Sequence, residues 1–336
     1  MRRLLLPVLL SLAILSGCAT SMGSSSPLWM DRPYDKSYDE ATYLAAVGSG
    51  STREQAVDNA RAALSQIFRS EVRSITELTT LSTSSTDEAG HSTFTQASEM
   101  LEMGRVSSTT EAIIGSEVAN VFTDSLGRVH ARVVLHRKKS ADLYRERVAE
   151  LARQRSALRT KRLLTDDLLR RYILLLEELG LAREEQGFLD QIQVLSGTSQ
   201  SQVLMPLRQE LSRLASSITV AVHVDAPEAA TARLQSAFEA ALQQLGFSTV
   251  STTAAYEADV YYRDEEVVME GSPYHYVRYT LTAQLKGDGK VYLSHQGGSR
   301  EAALGKAEAA QRALRLASTE GVQEFLVLLL QSLADQ

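Results

Sequence analysis

Two periodicities alternate along the first part of the chain. The apolar run at 43–47, which ends at a glycine, predicts a strand, and the capping pattern Ser51–Glu54 predicts the start of a helix. Small and apolar residues then recur at helical spacing, which indicates a helix packed closely on a sheet. Two alternating runs, 113–124 and 128–137, flank a Ser-Leu-Gly turn and therefore predict a β-hairpin.

The predicted helix presents one face to this sheet, formed by Ala56, Ala60, Leu64 and Ile67. Between the helix and the hairpin, the pattern predicts strand-like pieces in 67–79, a Ser- and Thr-rich loop in 80–98 and a helix in 100–111. Together these elements make an N-terminal αβ module.

The middle of the chain has the spacing of long charged helices. Apolar residues recur every three or four positions through 138–186, with Gly180 as the predicted end, and a second helical pattern covers 202–215. Basic residues exceed acidic ones between 137 and 171. Such a helix can bind anionic lipid or nucleic acid, but a solvated face with intrahelical ion pairs around 142–147 is the commoner arrangement.

The C-terminal part alternates strands and helices in the order β-α-β-β-β-β-α. Its predicted strands are 218–224, 247–252, 260–269, 276–285 and 290–295, and its predicted helices are 228–245 and 299–333, the latter with a break near Gly321. A two-layer αβ sandwich is the natural closure for this order of elements.

We therefore predict an α+β protein with two αβ sandwich-like modules joined by a long charged helical connector, after a cleaved lipoprotein signal peptide. The predicted segments are a signal peptide at 1–17, a lipidated flexible tether at 18–26, an N-terminal module at 27–137, the connector at 138–216 and a C-terminal module at 217–336. Arg53–Ala63 is similar in sequence to Arg300–Ala310. Either the two modules share a repeat, or two alanine-rich amphipathic helices are alike by composition.

The single cysteine, Cys18, has a distinctive position. Arg2 and Arg3 precede an apolar stretch that is too short to span a bilayer, and Leu15-Ser16-Gly17-Cys18 follows that stretch directly. This is the lipobox pattern of bacterial lipoproteins, which predicts cleavage before Cys18, diacylglycerol on its thiol and acylation of the new amino terminus. The alternative is an ordinary secretory signal with a chance cysteine.

Composition narrows the class of protein. Of 336 residues, 44% are hydrophobic and 23% are charged, which excludes collagen-like, coiled-coil-only and wholly disordered chains. The net charge of −6 argues against a general nucleic-acid binder. One cysteine allows no intramolecular disulfide and no zinc site of several cysteines.

Four short motifs occur in a fixed order: Pro27 with Trp29, Y-L-A-A-V-G at 43–48, the helix at 51–64 and the hairpin end at 127–137. In this order the chain resembles the LPP-twenty family of bacterial lipoproteins, over residues 27 to about 150. The resemblance implies an envelope lipoprotein, or an accessory part of an envelope or flagellar assembly, and it brings no catalytic residues. Ala19, where inner-membrane lipoproteins usually have Asp, implies the outer membrane.

The sequence contains no evident catalytic constellation. The six histidines lack H-x-x-x-H or H-E-x-x-H spacing, no G-x-S-x-G motif is present, and 48–53 lacks the spacing and the lysine of a phosphate loop. The consecutive acids 264–266 point in different directions on a strand, so a charged turn is favoured over a hydrolytic pair. We expect no enzymatic activity, no cofactor, no metal and no small-molecule substrate.

Tyrosines are concentrated between 256 and 292. Alternation places Val277, Tyr279, Leu281 and Leu285 on one face of a strand and Tyr274, Tyr276, Arg278, Thr280 and Thr282 on the other. Tyr and Arg are enriched at interface hot spots. We predict a partner-binding surface composed of Tyr261, Arg263, Tyr274, Tyr276 and Arg278. Of these residues, Tyr274, Tyr276 and Arg278 lie on the second face of the strand and are expected to be substantially exposed. Alternatively, the tyrosines only pair across strands.

These observations favour a non-catalytic outer-membrane lipoprotein that faces the periplasm. It would bind the bilayer through acylated Cys18 and act as a scaffold or accessory factor for an envelope or flagellar assembly, without binding nucleic acid. The first alternative is an envelope enzyme that acts on cell-wall glycan with unrecognised catalytic acids. A surface-exposed adhesin is a third possibility.

Overall fold

The structure is a computed structural model that describes residues 26–83 and 113–335. The predicted signal peptide, Cys18, most of the tether and the helix at 100–111 lie outside these residues. The elements are β1 (Tyr43–Gly50), α1 (Arg53–Thr83), β2 (Ser116–Thr123), β3 (Val129–His136), α2 (Arg137–Leu163), α3 (Leu168–Ser196), α4 (Leu204–Ser217), β4 (Thr219–Asp225), α5 (Glu228–Gln244), β5 (Ser248–Thr249), β6 (Tyr256–Val267), β7 (His275–Gly287), β8 (Lys290–Ala303), α6 (Lys306–Leu316) and α7 (Val322–Ala334). The predicted α+β class is confirmed.

The chain divides into two compact units. The first, here called the N-terminal unit, contains Ala45–Leu64 and Glu117–Val134 together with the described residues before 42. The second, the C-terminal unit, contains Thr42–Leu44, the described part of Ser65–Ser116 and all residues from Leu135 onwards.

The N-terminal unit is built on a three-stranded sheet with the order β1-β3-β2. The first turns of α1 lie against it through Ala56, Ala60 and Leu64, which are fully buried, as predicted. The approach is close enough that a Cβ added to Gly48 would lie 2.1 Å from the backbone nitrogen of Ala60. The predicted hairpin is also confirmed, and Gly127 takes a positive φ of 79° in its turn.

The end of the first helix was predicted wrongly. Residues 67–79 are helical rather than strand-like, since α1 runs without interruption from Arg53 to Thr83, which also takes the first residues of the predicted loop. Ile67, which was placed on the inner face, is exposed. The preference of single residues for strands is weak and depends on context. Extending an existing helix costs little free energy, because each added residue forms one more backbone hydrogen bond.

Helices α2, α3 and α4 occupy the predicted connector. The helical pattern does not end at Gly180, because α3 continues to Ser196 and closes on Gly197, whose φ of 66° is that of a helix-ending glycine. A Cβ at Gly180 would meet nothing within 4 Å. The packing therefore does not require glycine here, and its only effect is the lower helix propensity of glycine. Arg145 pairs with Asp142 on the exposed side of α2, which is one of the intrahelical ion pairs expected there.

The C-terminal unit contains a five-stranded sheet with the order β5-β4-β6-β7-β8. Strand β4 pairs in parallel with β5 and β6, and the remaining pairs are antiparallel. Apolar residues of α3, α4, α5, α6 and α7 form one hydrophobic core with one face of this sheet. Leu169, Tyr172 and Phe247 are among the residues of that core.

Two further differences concern the C-terminal strands. Residues 299–303, predicted as helix, are the end of β8, because they pair with residues 275–279 of β7 and the helix starts only at Lys306. The predicted strand 247–252 is reduced to β5, two residues long. The similar segments Arg53–Ala63 and Arg300–Ala310 therefore begin in different structures, a helix and a strand. The predicted break near Gly321 is confirmed as a π-helical turn, Ala317–Gly321.

Candidate functional site

The outer face of the C-terminal sheet is the first candidate site. Along β7, Val277, Tyr279 and Leu281 are buried in the core, while the alternate residues face outwards, as the alternation predicted. Arg263 on β6 and Arg278 on β7 have side chains that are 61% and 56% exposed. The five helices of the shared core leave this outer face open.

The five predicted surface residues differ in exposure. Tyr261 and Tyr274 are about half exposed, at 46% and 50%, and both arginines are exposed. Tyr276, which was expected to be substantially exposed, is only partly accessible. The guanidinium of Arg300, on the neighbouring strand, lies 5.4 Å from the centre of its ring, and Ser272 donates a hydrogen bond to its hydroxyl at 3.2 Å.

Most charges on this face are matched in pairs. Arg263 lies 2.6 Å from Asp225, and this hydrogen bond raises the pKa of Arg263 above its ordinary value. Arg278 lies 3.5 Å from Glu265. Lys286 lies between two carboxylates of β6, whose hydrogen bonds raise its pKa to about 12. These pairs are exposed and each contributes little to stability.

Arg300 is different from these cations. It sits opposite Arg278 in the β7–β8 register, so two like charges face each other across the strands. Among the described residues its guanidinium contacts the Tyr276 ring and the Met269 sulfur, at 4.0 Å, but no carboxylate. It is therefore an unneutralised cation at the margin of the sheet.

The margin itself is a long unpaired edge, because β8 is the last strand of the sheet. The carbonyl of Ala302 accepts a hydrogen bond from the Arg312 side chain, which identifies the unpaired side. Alternate residues of a strand direct their N–H and C=O to the same side, so the even-numbered residues from Ser294 to Arg300 also face this edge. Within the described part of the chain, no hydrogen bond engages these backbone groups.

Exposed apolar side chains lie beside this edge. Val268, Met269 and Tyr274 belong to the connection between β6 and β7, and they are 83%, 43% and 50% exposed. Leu304, 72% exposed, follows the end of β8, which pairs with the start of β7. Exposed apolar groups beside an unpaired strand are typical of a protein-binding surface.

A second cluster lies in the N-terminal unit and was missed in the sequence. Ser49 Oγ lies 2.7 Å from His130 Nδ1, and His130 Nε2 lies 3.1 Å from the Asp124 carboxylate. The histidine is buried, whereas Ser49 is exposed. The three residues come from the end of β1, the start of β3 and the hairpin turn, which explains why no local motif revealed them. The sequence offered one indication of the cluster, which is that alternation along β1 places Ser49 at an exposed position.

The carboxylate defines the direction of this hydrogen-bond chain. The hydrogen bond with His130 lowers the pKa of Asp124 to about 2, against the effect of burial, and the backbone N–H groups of Arg128 and Leu126 add to the shift. Because an ionised carboxylate only accepts, Nε2 donates to Asp124, and in the neutral imidazole Nδ1 then accepts the hydrogen bond of the Ser49 hydroxyl. This is the polarity that activates a serine nucleophile.

The same face of the N-terminal sheet buries a second polar residue, Arg132. Its guanidinium donates to Asn120 and to Asp35, the latter at 2.7 Å, and lies 4.5 Å from the centre of the Tyr38 ring. Trp29 lies nearby, 5.6 Å from the same guanidinium. Arg132 thus fixes the segment before β1 on the sheet.

In 26–83 and 113–335, no group of three or more His, Cys, Asp or Glu side chains is arranged to hold a metal ion. Within the same ranges, no helix has both the length and the apolar character needed to cross a membrane.

Comparisons with known proteins support the N-terminal resemblance. Residues 27–136 match the model of the LPP20 lipoprotein family, which confirms the family resemblance over that segment. The chain shows no significant similarity to any curated protein sequence.

The chain is distantly similar to solved structures of other proteins. The secreted protein HP1454 from Helicobacter pylori is 12% identical, with a TM-score of 0.44 over 88% of this chain and 99% of that chain. A minor lipoprotein from Acinetobacter baumannii is 16% identical, with a TM-score of 0.28 over 34% of this chain and 92% of that chain.

Proposed function

We propose that the protein is a non-catalytic lipoprotein of the cell envelope that binds another envelope protein. The family match of residues 27–136 supports a lipoprotein, and the L-S-G-C pattern at Cys18 supplies the anchor. Three acyl chains, each contributing about 0.8 kcal/mol per buried CH₂, anchor such a protein stably on a membrane. Ala19 supports the outer membrane, with the protein facing the periplasm as an accessory factor of an envelope or flagellar assembly.

The anchor is tested with Cys18→Ser. Without a thiol to accept diacylglycerol, this variant should stay uncleaved at the lipoprotein site and should not incorporate labelled palmitate. Sucrose-gradient fractionation of cells that express the wild-type protein determines whether it lies in the inner or the outer membrane. Protease treatment of intact cells determines whether it faces the periplasm or the cell surface. Normal lipid labelling of Cys18→Ser would contradict the anchor, and digestion on intact cells would indicate surface exposure instead.

The partner site is proposed on the observation that carries most weight, the unpaired edge of β8 beside Arg300. Between Ser294 and Arg300, the four even-numbered residues offer backbone hydrogen bonds to an added strand. Arg300 has no described carboxylate partner, so an acidic side chain on that added strand would neutralise it. We infer that the occupant is an extended, acidic segment of an envelope protein.

The five residues predicted earlier would line this site. Tyr276 and Arg278 lie on the strand next to β8, whereas Tyr261 and Arg263 lie one strand further away. Residues nearer the edge should therefore matter more for binding. The double variant Tyr274→Ala, Tyr276→Ala should stay folded and lose its partner, since truncation at a hot spot costs about 2 kcal/mol or more.

A crosslinking experiment tests the site directly. A photoreactive amino acid at position 296 should crosslink to a single partner in cells, whereas the same group at Glu239, partly exposed on α5, should not. Gln296→Pro removes one edge N–H and should abolish the crosslink formed from position 294, and Arg300→Glu should do the same by repulsion. Arg183→Glu, an exposed change on α3, serves as the charge control.

The crosslinked species also identifies the occupant. A crosslink to an envelope protein, at an extended stretch that contains Asp or Glu, would support the proposal. A crosslink between two copies of this chain would replace it with self-association through β8. Equal crosslinking at 296 and 239 would show that the edge is not a binding site.

A second candidate function is supported by one specific observation, the Ser49–His130–Asp124 chain. In an ester hydrolysis, Ser49 Oγ would attack the carbonyl carbon while its proton passes to His130 Nδ1. The imidazolium would return that proton to the leaving alkoxide, and water would then cleave the acyl-serine. This replaces the unrecognised acids of the earlier enzyme hypothesis with a defined nucleophile.

A fluorophosphonate probe distinguishes an activated serine from a structural one. Under the enzyme alternative, Ser49 is labelled, labelling is lost in Ser49→Ala and His130→Gln, and Ser51→Ala on the neighbouring turn is labelled normally. Absence of label on Ser49 in the folded wild-type protein would eliminate the hydrolase and leave the hydrogen-bond chain as a structural link.

A further inference from the structure

A pocket of about 350 Å³ lies among α2, α3 and α4 of the C-terminal unit. Its polar lining consists mainly of three arginines and one carboxylate: Arg162, Arg171, Arg213 and Glu210. Leu168 and Leu214 form an apolar part of the wall. An excess of guanidinium groups in an indented surface favours negatively charged ligands.

The charge of Arg162 is already neutralised within the protein. Its side chain is only 2% exposed and lies 3.0 Å from the equally buried Glu178, with Glu210 bonded to its other nitrogen. Burial opposes the charged form, but the hydrogen bonds and charges of Glu210 and Glu178 raise the pKa of Arg162 above its ordinary value. Both nearby carboxylates, those of Glu178 and Glu210, are thus paired with Arg162.

Arg171 and Arg213 have no such compensation. The Nε of Arg171 is buried and has no hydrogen-bond partner among the described residues. Arg213 Nε donates to the backbone carbonyl of Gln209 at 3.2 Å, which leaves the charge unmatched. In the ranges 26–83 and 113–335, neither arginine forms an ion pair. A buried donor without an acceptor costs free energy, which a bound anion would recover.

We propose that this pocket binds a small organic anion, with its carboxylate or phosphate group between Arg171 and Arg213. Guanidinium groups recognise both kinds of oxyanion, often through two parallel hydrogen bonds. The pocket volume is at the lower end of the range for small-molecule sites, and Leu168 with Leu214 would contact an apolar part of the ligand. The site is independent of both the β8 edge and Ser49.

Titration of the purified full-length chain in detergent tests this site. The probes are inorganic phosphate, phenyl phosphate and benzoate, each against sodium chloride at equal ionic strength, with the thermal midpoint and a titration curve as readouts. Phosphate should stabilise the protein more than chloride does. Phenyl phosphate should bind more tightly than phosphate because its ring reaches the leucines, and benzoate tells whether a carboxylate suffices.

Three variants and a control assign any binding to the pocket. Arg171→Gln should weaken phenyl phosphate binding at least tenfold, and Arg213→Gln, at an exposed position that tolerates change, should weaken it severalfold. Glu210→Gln should strengthen binding, because it removes a negative charge from the pocket lining. Arg183→Gln, on α3 outside the pocket, should have no effect. Equal affinities for Arg183→Gln and Arg213→Gln, or no preference for phosphate over chloride, would overturn the proposal.

Discussion

The two sheets of this protein use the same alternation of polar and apolar residues for opposite purposes. In β3, His130 and Arg132 alternate with apolar residues, much as Arg263 and Tyr261 do in β6. Yet Arg132 is 2% exposed, whereas the side chain of Arg263 is 61% exposed. Alternation therefore predicts which residues share a face, but not whether water reaches that face.

The cause of this difference is the segment before β1. In the N-terminal unit, residues 28–38 cover the second face of the sheet, with Trp29 buried and Tyr34 accepting a hydrogen bond from the backbone of Ala45. In the C-terminal unit, no described segment covers the corresponding face. Polar groups on the covered face contribute to stability, and polar groups on the open face remain available for a partner.

The largest expected effect is at Gly48, where the N-terminal sheet and α1 are closest. Gly48→Ala would place a Cβ 2.1 Å from the backbone nitrogen of Ala60, so the helix must move, and we expect destabilisation of about 3 kcal/mol or more. Urea unfolding of the full chain, combined with hydrogen exchange at β1 and β3 amides, measures the change. Gly180→Ala, in open space on α3, should instead be neutral or stabilise by up to about 1 kcal/mol.

Removing one arginine from each sheet tests the comparison directly. Arg132→Met leaves Asn120 and the carbonyl of Pro33 without their buried donor, and we expect a loss of about 2–3 kcal/mol. Arg263→Met breaks an exposed ion pair and should cost less than about 1 kcal/mol. If both variants lose equal stability by chemical denaturation, the distinction between covered and open faces is wrong.

A smaller effect is expected from overpacking the buried face of α1. Ala60→Leu inserts a larger side chain at a fully buried position and should cost about 1–3 kcal/mol. Ala62→Leu, two residues further on the exposed side of the same helix, is the matched control and should change the thermal midpoint little. An unchanged midpoint for Ala60→Leu would mean that the sheet and helix can separate without loss.

Much of the fold was predictable, because an element that buries one face has apolar residues at a regular spacing in the sequence. The phase of β7 and the inner positions 56, 60 and 64 follow from that spacing. The end of β8 does not: Arg300–Ala303 resembles the start of an alanine-rich helix, and only pairing with β7 makes it a strand. Such long-range pairing overrides local preference.

The sites were less predictable than the fold, since they depend on contacts between distant residues. Tyr276 is partly covered by Arg300 from the next strand, which alternation within β7 cannot reveal. Ser49 and His130 are 81 positions apart and meet only when β1 and β3 pair. Likewise, the charge excess of the pocket depends on which arginines Glu178 and Glu210 neutralise.

The smallest effect expected is a dependence on acid that is specific to the N-terminal unit. The hydrogen bond from His130 holds the pKa of Asp124 at about 2, below its ordinary value of 3.8. A group whose pKa is lowered on folding stabilises the protein above its unfolded pKa, and this contribution disappears as the group becomes protonated. The hairpin of β2 and β3 should therefore lose protection as the pH falls from about 4 to about 2.

Hydrogen exchange of the hairpin amides, corrected for the intrinsic effect of pH, measures this loss, and Asp124→Asn separates Asp124 from other carboxylates. The variant should have lower protection at pH 6 and a flatter response to acid, because the group that titrates is absent. Glu266→Gln in the C-terminal unit is the control: the pKa of Glu266 is also lowered, by Lys306 and His275, but this residue lies on the other sheet. If Glu266→Gln flattens the response of the N-terminal hairpin as much as Asp124→Asn does, the acid sensitivity belongs to the whole chain, and the covered sheet is not a separate titrating unit.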